Sequence, residues 1–151
     1  MKPYRLELVR RQDDSLPEGK ANNASITAAY LRDHIFKNDK ESWREKAYLL
    51  TLDSALNITG VFHLSSGGMS ATQIDPHLVA IIAAQTGAPS VILAHNHPSG
   101  TPRPGSHDIQ MTSRCKNMLD ALCTSLMDHI ILGEKSFYSF SEERENSYPE
   151  S

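Results

Sequence analysis

The segment His95-Asn96-His97-Pro98-Ser99-Gly100-Thr101-Pro102-Arg103-Pro104-Gly105-Ser106-His107-Asp108 carries the densest chemistry in the chain. In an extended strand, residues two apart point the same way, so His95 and His97 can aim both imidazoles at one point. Pro98 cannot continue as a ladder member. The Pro/Gly spacing from Pro98 to Gly105 permits a stiff reversal, and Asp108 then falls in the first turn of a following helix, where a carboxylate is favoured. If the loop folds back, Asp108 faces the two histidines. Two imidazoles and one carboxylate form a common catalytic zinc set that leaves a fourth position for water. A His-x-His pair is also common as plain surface or turn histidine, so the residues alone leave both readings open. His107 beside Asp108 is a further possible ligand whose neighbour position points it elsewhere. His34, His63 and His77 have no partner pattern, and His129, next to Asp128, reads as a structural hydrogen-bonding residue.

The elements around this segment can be read from pattern. Tyr4, Leu6 and Leu8 alternate with polar residues and predict a strand over 3–10. Residues 11–23 are polar and hold Pro17 and Gly19, a loop. Ser25 can cap a helix running to about Lys37, with Ala28, Leu31 and Ile35 on one face. Residues 47–52 are largely apolar and predict a central strand. A turn over 53–57 leads to a strand over 58–65, and a further short strand is expected near 71–74. Pro76 opens a helix with Leu78, Ile81, Ile82 and Gln85 at helical spacing, and Gly87 suits its C-terminal cap. Residues 91–94 form a short apolar strand that runs directly into His95. A long helix starts near Ser106, with Met111, Cys115, Met118, Leu119, Leu122 and Leu126 expected inward. Residues 129–132 and 137–140 pair across a turn containing Gly133. The acidic, polar tail from Ser141 is expected to fray. Strands and helices alternate without a regular βαβ rhythm, which predicts an α/β fold with a mixed sheet flanked by helices.

Composition sets the outer limits. The chain has 151 residues, 39% apolar and 22% charged, enough for one domain with a real core. Its 15 Lys+Arg against 18 Asp+Glu give a net charge of −3, which argues against a generally basic nucleic-acid-coating protein. The longest apolar run, Leu78 to Ala84, is far too short to span a bilayer. The N-terminal residues Met1 to Arg5 lack the apolar stretch of a signal peptide, so the expected location is cytoplasmic. Cys115 and Cys123 read as helical core positions, with neither a zinc-knuckle spacing nor a disulfide framework.

The string His-Asn-His-Pro-Ser-Gly, with an aspartate eleven residues after the second histidine, resembles the JAMM metalloprotease signature as it occurs in RadC-like proteins. Three further segments match in order: Glu45-Lys46-Ala47-Tyr48-Leu49-Leu50-Thr51-Leu52-Asp53, Ile74-Asp75-Pro76, and Asp128-His129-Ile130-Ile131-Leu132-Gly133. The similarity covers about residues 25–141 of an expected single domain over 1–151. The N-terminal helix-hairpin-helix region of longer relatives is not expected here. The resemblance implies a cytidine-deaminase-like JAB/MPN α/β/α sandwich holding one Zn2+ per chain, with His95, His97 and Asp108 as ligands. It assigns Glu45 as the acid/base that takes a proton from zinc-activated water and returns it to a leaving amine. By pattern alone Glu45 is one of several candidates, with Glu41 and Glu134.

In one place the sequence departs from that family. The family's serine three residues before the aspartate, held to donate to the oxyanion, is replaced by Gly105, with Ser106 next to it as a possible substitute. Losing such a donor costs about a hundred- to a thousandfold in turnover. The expected activity is hydrolysis of a peptide or isopeptide amide in a peptide or protein substrate, with a link to DNA repair implied by the RadC name. The alternative is a catalytically weak or inactive zinc-containing binding module in a DNA-processing or mobile-element context; a nuclease or nucleotide hydrolase using the same metal is a second rival. An HNH nuclease is not indicated, because that motif spreads its residues over a ββα unit whereas these are consecutive. Nucleic acid as a partner is unsupported by charge. Arg103, on the loop beside the site, reads as solvated, with an acidic substrate group as its other possible partner.

Overall fold

A computed structural model describes residues 2–3, 12–37, 44–67 and 73–150. The strand expected over 3–10 lies almost wholly outside the described residues, as do residues 71–72 of the strand expected near 71–74; residues 73–75 are irregular.

The structure is an α/β/α sandwich on a six-stranded mixed sheet, the fold class the sequence predicts. The strands are β1 (Lys46–Leu52), β2 (Ile58–Ser66), β3 (Ser90–Asn96), β4 (Ser125–Leu132), β5 (Ser136–Ser139) and β6 (Arg144–Ser147), in spatial order β2-β1-β3-β4-β5-β6. Among the described strands only β3 and β4 are parallel, and the connection between them is the helix α3 (Ser106–Ala121), as a parallel pair requires. The helix α2 (Pro76–Thr86) leads into β3, and α1 (Ala24–Tyr30) continues as a π-helical segment over Leu31–Phe36.

Alternation along the two central strands divides the core. Leu50 and Leu52 of β1, with Ile92 and Ala94 of β3, pack under α1 against Ala24, Ala28 and Leu31. Ala47 and Leu49, with Val91 and Leu93, pack on the other face against Val79 and Ala83 of α2 and Met111, Cys115 and Leu119 of α3. The period of two along an extended chain makes this division. It also fixes where the chemistry goes: His95 continues the face that carries Val91 and Leu93, so it points toward α3.

Several expectations need correction. Asn23, not Ser25, caps α1, its Oδ1 accepting from the Ile26 amide at 2.9 Å. In α2 the buried residues are Val79, Ala80 and Ala83, while Ile81 and Gln85 are exposed, because small side chains let the helix lie close on the sheet. Helix α3 ends at Ala121, so Leu126 belongs to β4, and Met118, Leu122 and Cys123 are exposed. Strand β4 accordingly starts at Ser125 rather than 129, and β5 is displaced by one residue. The tail does not fray at Ser141: β6 pairs with β5 from Ser139↔Arg144 to Ser136↔Ser147. Tyr148 then anchors the end, its ring 5.5 Å from Phe137 and its hydroxyl donating to the Gly133 carbonyl at 3.0 Å. Burial pushes the Tyr148 hydroxyl up to about 12.

Gly133 is where the β4–β5 turn meets the loop after His97. Gly133 N donates to Ser136 O and Glu134 N to Gly100 O, both at 2.9 Å. A Cβ at Gly133 would collide with the Gly100 carbonyl and stand 2.8 Å from Pro102 Cδ. Gly133→Ala should therefore destabilise the fold by about 2 kcal/mol, lowering the melting temperature by about 4–8 °C. Thermal denaturation followed by circular dichroism checks this; a parental melting temperature contradicts it.

Candidate metal centre

The centre forms where β3 ends and α3 begins, the carboxyl end of a parallel pair and a common place for sites in α/β sheets. His95 is fully buried on β3, and His97 follows just beyond the strand end, where its amide donates to the Leu132 carbonyl at 2.9 Å. The reversal through Gly100, Pro102 and Pro104 delivers α3 back to this point. Asp108, in the first turn of α3, takes the Gly105 amide on Oδ2 at 2.8 Å, which fixes the carboxylate and closes the helix start.

Four side chains converge: Glu45, His95, His97 and Asp108 place one ligand atom each within 4.8 Å of one another. His95 Nε2 lies 3.0 Å from His97 Nε2 and 3.3 Å from Asp108 Oδ1, and His97 Nε2 lies 3.5 Å from Asp108 Oδ2. Zinc bonds such atoms at about 2.0–2.2 Å, so the vertices of a tetrahedron around it stand about 3.3–3.6 Å apart. Two of the three separations fall in that range, and the third, 3.0 Å, lies just below it. Glu45 Oε1 stands farther out, 3.8 Å from His95 Nε2, with its side chain only 12% exposed.

The hydrogen positions at His97 follow from its partner. His97 Nδ1 is 3.0 Å from the Thr101 carbonyl oxygen. A carbonyl only accepts, so Nδ1 carries hydrogen, and the neutral ring turns a bare Nε2 toward Asp108. Burial pulls the His97 ring toward the neutral form, but Asp108, the Thr101 carbonyl and Glu45 outweigh it and hold its pKa above the ordinary value. Burial would raise the Asp108 carboxyl; the two rings and the Gly105 amide overcome that and hold it below the usual carboxylate range. A cluster of this kind, rich in lone pairs and negative charge, suits a cation.

Asn96, between the two histidines, has a position of its own. Its Nδ2 donates to the Arg44 carbonyl at 3.0 Å and its Oδ1 accepts from the Lys46 amide at 2.7 Å. These bonds grip the backbone on either side of Glu45 and set it at the lip of β1. Nothing in the local pattern connects Asn96 with residues fifty positions away, so the sequence reading misses it.

Behind His95 lies His129, fully buried on β4, its Nε2 2.7 Å from His95 Nδ1. Burial drives the His129 ring well below its ordinary pKa. Its other nitrogen is 2.6 Å from Thr112 Oγ1 on α3. The structural hydrogen-bonding role expected for His129 is thus correct, but its partner is the ring of His95.

The remaining sequence candidates do not join the centre. Ser106, His107 and Arg103 are exposed on the loop and the start of α3, and Glu134 is exposed beyond β4. His63 pairs instead with Ser66 at 2.8 Å, and Glu41 lies outside the described residues. Gly105 caps α3 with φ −85°, and a Cβ there would meet only Asp108 Oδ2, at 3.7 Å. A groove of about 380 Å3 opens beside His97, lined by Arg32, Phe36, Pro98, Gly100, Leu132 and Tyr148. Among the described residues, no helix is long and apolar enough to cross a membrane.

Comparison with known proteins places the chain in a family. Residues 21–146 match the family model described as RadC-like JAB domain. A UPF0758 protein of Carboxydothermus hydrogenoformans is 36% identical over 141 residues, 92% of this chain and 61% of that protein. One from Thermotoga maritima is 32% identical over 137 residues, 91% and 59% of the two chains, and one from Porphyromonas gingivalis is 40% identical over 101 residues, 66% and 44%. The chain thus spans about half to three-fifths of the length of these curated relatives. By motif, fold and these matches, the chain belongs to the family of RadC-like JAB domains.

Proposed function

We propose that this domain is a zinc-dependent metallohydrolase that cleaves a peptide or isopeptide amide. The observation that carries the reading is the convergence of His95, His97 and Asp108 at tetrahedral spacing, with Glu45 just outside them. A zinc ion held there supplies Lewis acidity and makes water a nucleophile near neutral pH.

The chain's own residues do the rest. His95 and His97 offer neutral nitrogens and Asp108 offers the negative charge. Glu45, placed by the grip of Asn96 on its neighbours, takes the proton from the attacking water and returns it to the leaving amine. The burial of Glu45 and His95 keeps bulk water from screening these charges. The groove beside His97 presents the aromatic rings of Phe36 and Tyr148.

Gly105 supports a second reading, a metal-containing binding module of weak or no activity. The N-cap position next to Asp108 carries no hydroxyl to donate to a developing oxyanion, and Ser106 is exposed one residue along.

Purified protein should hold about one zinc per chain by elemental analysis, and His97→Ala should lose it. Full occupancy in that variant contradicts the ligand set. Glu45→Gln should keep the metal while lowering amide turnover about 10²–10⁴-fold, because an amide cannot take the proton. Loss of metal there instead would make Glu45 a ligand. Gly105→Ser fits the space at negative φ and restores a hydroxyl; turnover of a cleavable isopeptide should rise at least tenfold, mainly in kcat. A fully metallated Gly105→Ser protein that cuts no faster counts against the missing donor. If no amide substrate is cut by either protein, the binding-module reading stands.

A further inference from the structure

We propose that Thr112 and His129 are positioning residues for the metal centre: a one-way chain of hydrogen bonds from the Asp108 carbonyl through Thr112 and His129 fixes His95 with its Nε2 bare and facing the centre. The inference rests on the metal-centre reading above and assigns roles to two residues outside the ligand set.

The direction of the chain follows link by link. Thr112 Oγ1 lies 2.6 Å from the Asp108 backbone carbonyl, one turn back on α3. The carbonyl can only accept, so the single hydroxyl hydrogen of Thr112 is committed to it. Thr112 Oγ1 is also 2.6 Å from His129 Nδ1. With its hydrogen spent, the hydroxyl can only accept there, so His129 carries hydrogen on Nδ1. The ring is fully buried against Phe140, and with its one ring hydrogen committed to Nδ1 its Nε2 keeps a lone pair. That lone pair faces His95 Nδ1 at 2.7 Å, which must then carry the hydrogen. With its ring hydrogen on Nδ1, His95 leaves Nε2 bare, the atom 3.0 Å from His97 Nε2 and 3.3 Å from Asp108 Oδ1.

The opposite direction has a distinct consequence. A hydrogen on His129 Nε2 would make His95 Nδ1 the acceptor and move the His95 hydrogen to Nε2. That hydrogen would then bond Asp108, and His95 would be blocked as a ligand. The two directions correspond to a centre ready for a metal and a centre closed by its own hydrogen bond. Thr112 selects the first.

The parts that hold the chain are rigid. His129 pairs in register with Leu93 on the neighbouring strand, which sets its ring 4.8 Å from that of His95. Its other flank stacks on Phe140 at 4.8 Å and 9°, and its amide donates to Asp128 Oδ1 at 2.7 Å. The chain also begins and ends on ligand residues, Asp108 and His95, so it ties β3 and α3 together across β4. Outer partners of this kind typically contribute 10–100-fold to metal affinity.

Two-bond 1H–15N NMR of the metal-free protein, with 15N-labelled histidine, reads the tautomers directly. His95 and His129 should each carry hydrogen on Nδ1; hydrogen on His129 Nε2 overturns the inference. Zinc affinity measured by competition with a chromophoric chelator should fall about 10–100-fold in Thr112→Val and in His129→Phe, which keeps the ring stack. His129→Gln, which restores an acceptor for His95, should recover at least part of the loss. Thr112→Val is a near-isostere at a half-buried position, so it keeps the affinity readout available where loss of the buried His129 prevents folding. Parental affinity in folded Thr112→Val also overturns the inference. An unmodified protein that takes up no zinc overturns the metal-centre reading, and the tautomer measurement then decides this one by itself.

Discussion

The structure turns on one arrangement: lone-pair atoms from β3 and α3 held about three ångströms apart in a largely buried place. His95 Nε2, His97 Nε2 and the Asp108 carboxylate face one another. Such atoms repel unless a hydrogen or a cation stands between them, and in a low-dielectric setting the repulsion is strong. The fold sets this arrangement. The β3–α3–β4 crossover supplies it, because a parallel pair forces the chain to return along a helix, and the helix start comes back to the end of β3. The backbone amide of Gly105 then locks Asp108 in place.

The same crossover explains why distant segments are drawn into the centre. β1 lies antiparallel beside β3 with Ala47 opposite His95, so the start of β1 and the end of β3 coincide in space. Asn96 exploits this with two bonds to the backbone around Glu45. On the other side, β4 runs parallel to β3 and ends beside His97, whose amide it caps through Leu132. The close approach of Gly133 to Gly100 and Pro102 then packs the β4–β5 turn against the loop between His97 and Asp108. Strand-end geometry thus gathers Glu45, His95, His97 and the loop that follows at one place.

What could be read in the sequence was whatever depends on local pattern. β1, β2 and β3 were legible because continuous or alternating apolar residues mark strands, and α2 because Pro76 and Gly87 punctuate it, Gly87 adopting φ 64° as a helix-ending glycine does. The proposed ligands His95, His97 and Asp108 could be picked out together because they lie within one short segment, and the fold brings them to one point. The inward face of α3 was less so: apolar residues continue past Ala121, and only the left-handed Cys123 at φ 56° shows that the helix has ended. β6 carries Arg144, Glu145, Asn146 and Ser147, with no apolar alternation at all; its pairing rests on backbone bonds to β5 and on the anchor at Tyr148. Asn96, Thr112 and His129 act through partners far off in the chain, which no local pattern reveals. Glu45 was singled out by family resemblance, since a carboxylate at a strand lip has no distinctive neighbours in sequence.

Gly105 separates two demands that the family's serine would meet together. As a helix N-cap, glycine is inferior to serine by only a few tenths of a kcal/mol, so the start of α3 hardly registers the exchange. Asp108 compensates directly, because its carboxylate takes the cap-residue amide and thereby satisfies an otherwise orphaned donor. The ligand geometry therefore depends on the backbone at position 105 and not on its side chain. Oxyanion stabilisation is the reverse case, since a hydroxyl aimed at developing charge has no backbone substitute at that atom. The chain can thus retain every contact that shapes the proposed metal centre while lacking a contact that would matter only during turnover. In the proposed hydrolase, metal binding and catalytic rate are for that reason separate quantities, each governed by its own residues.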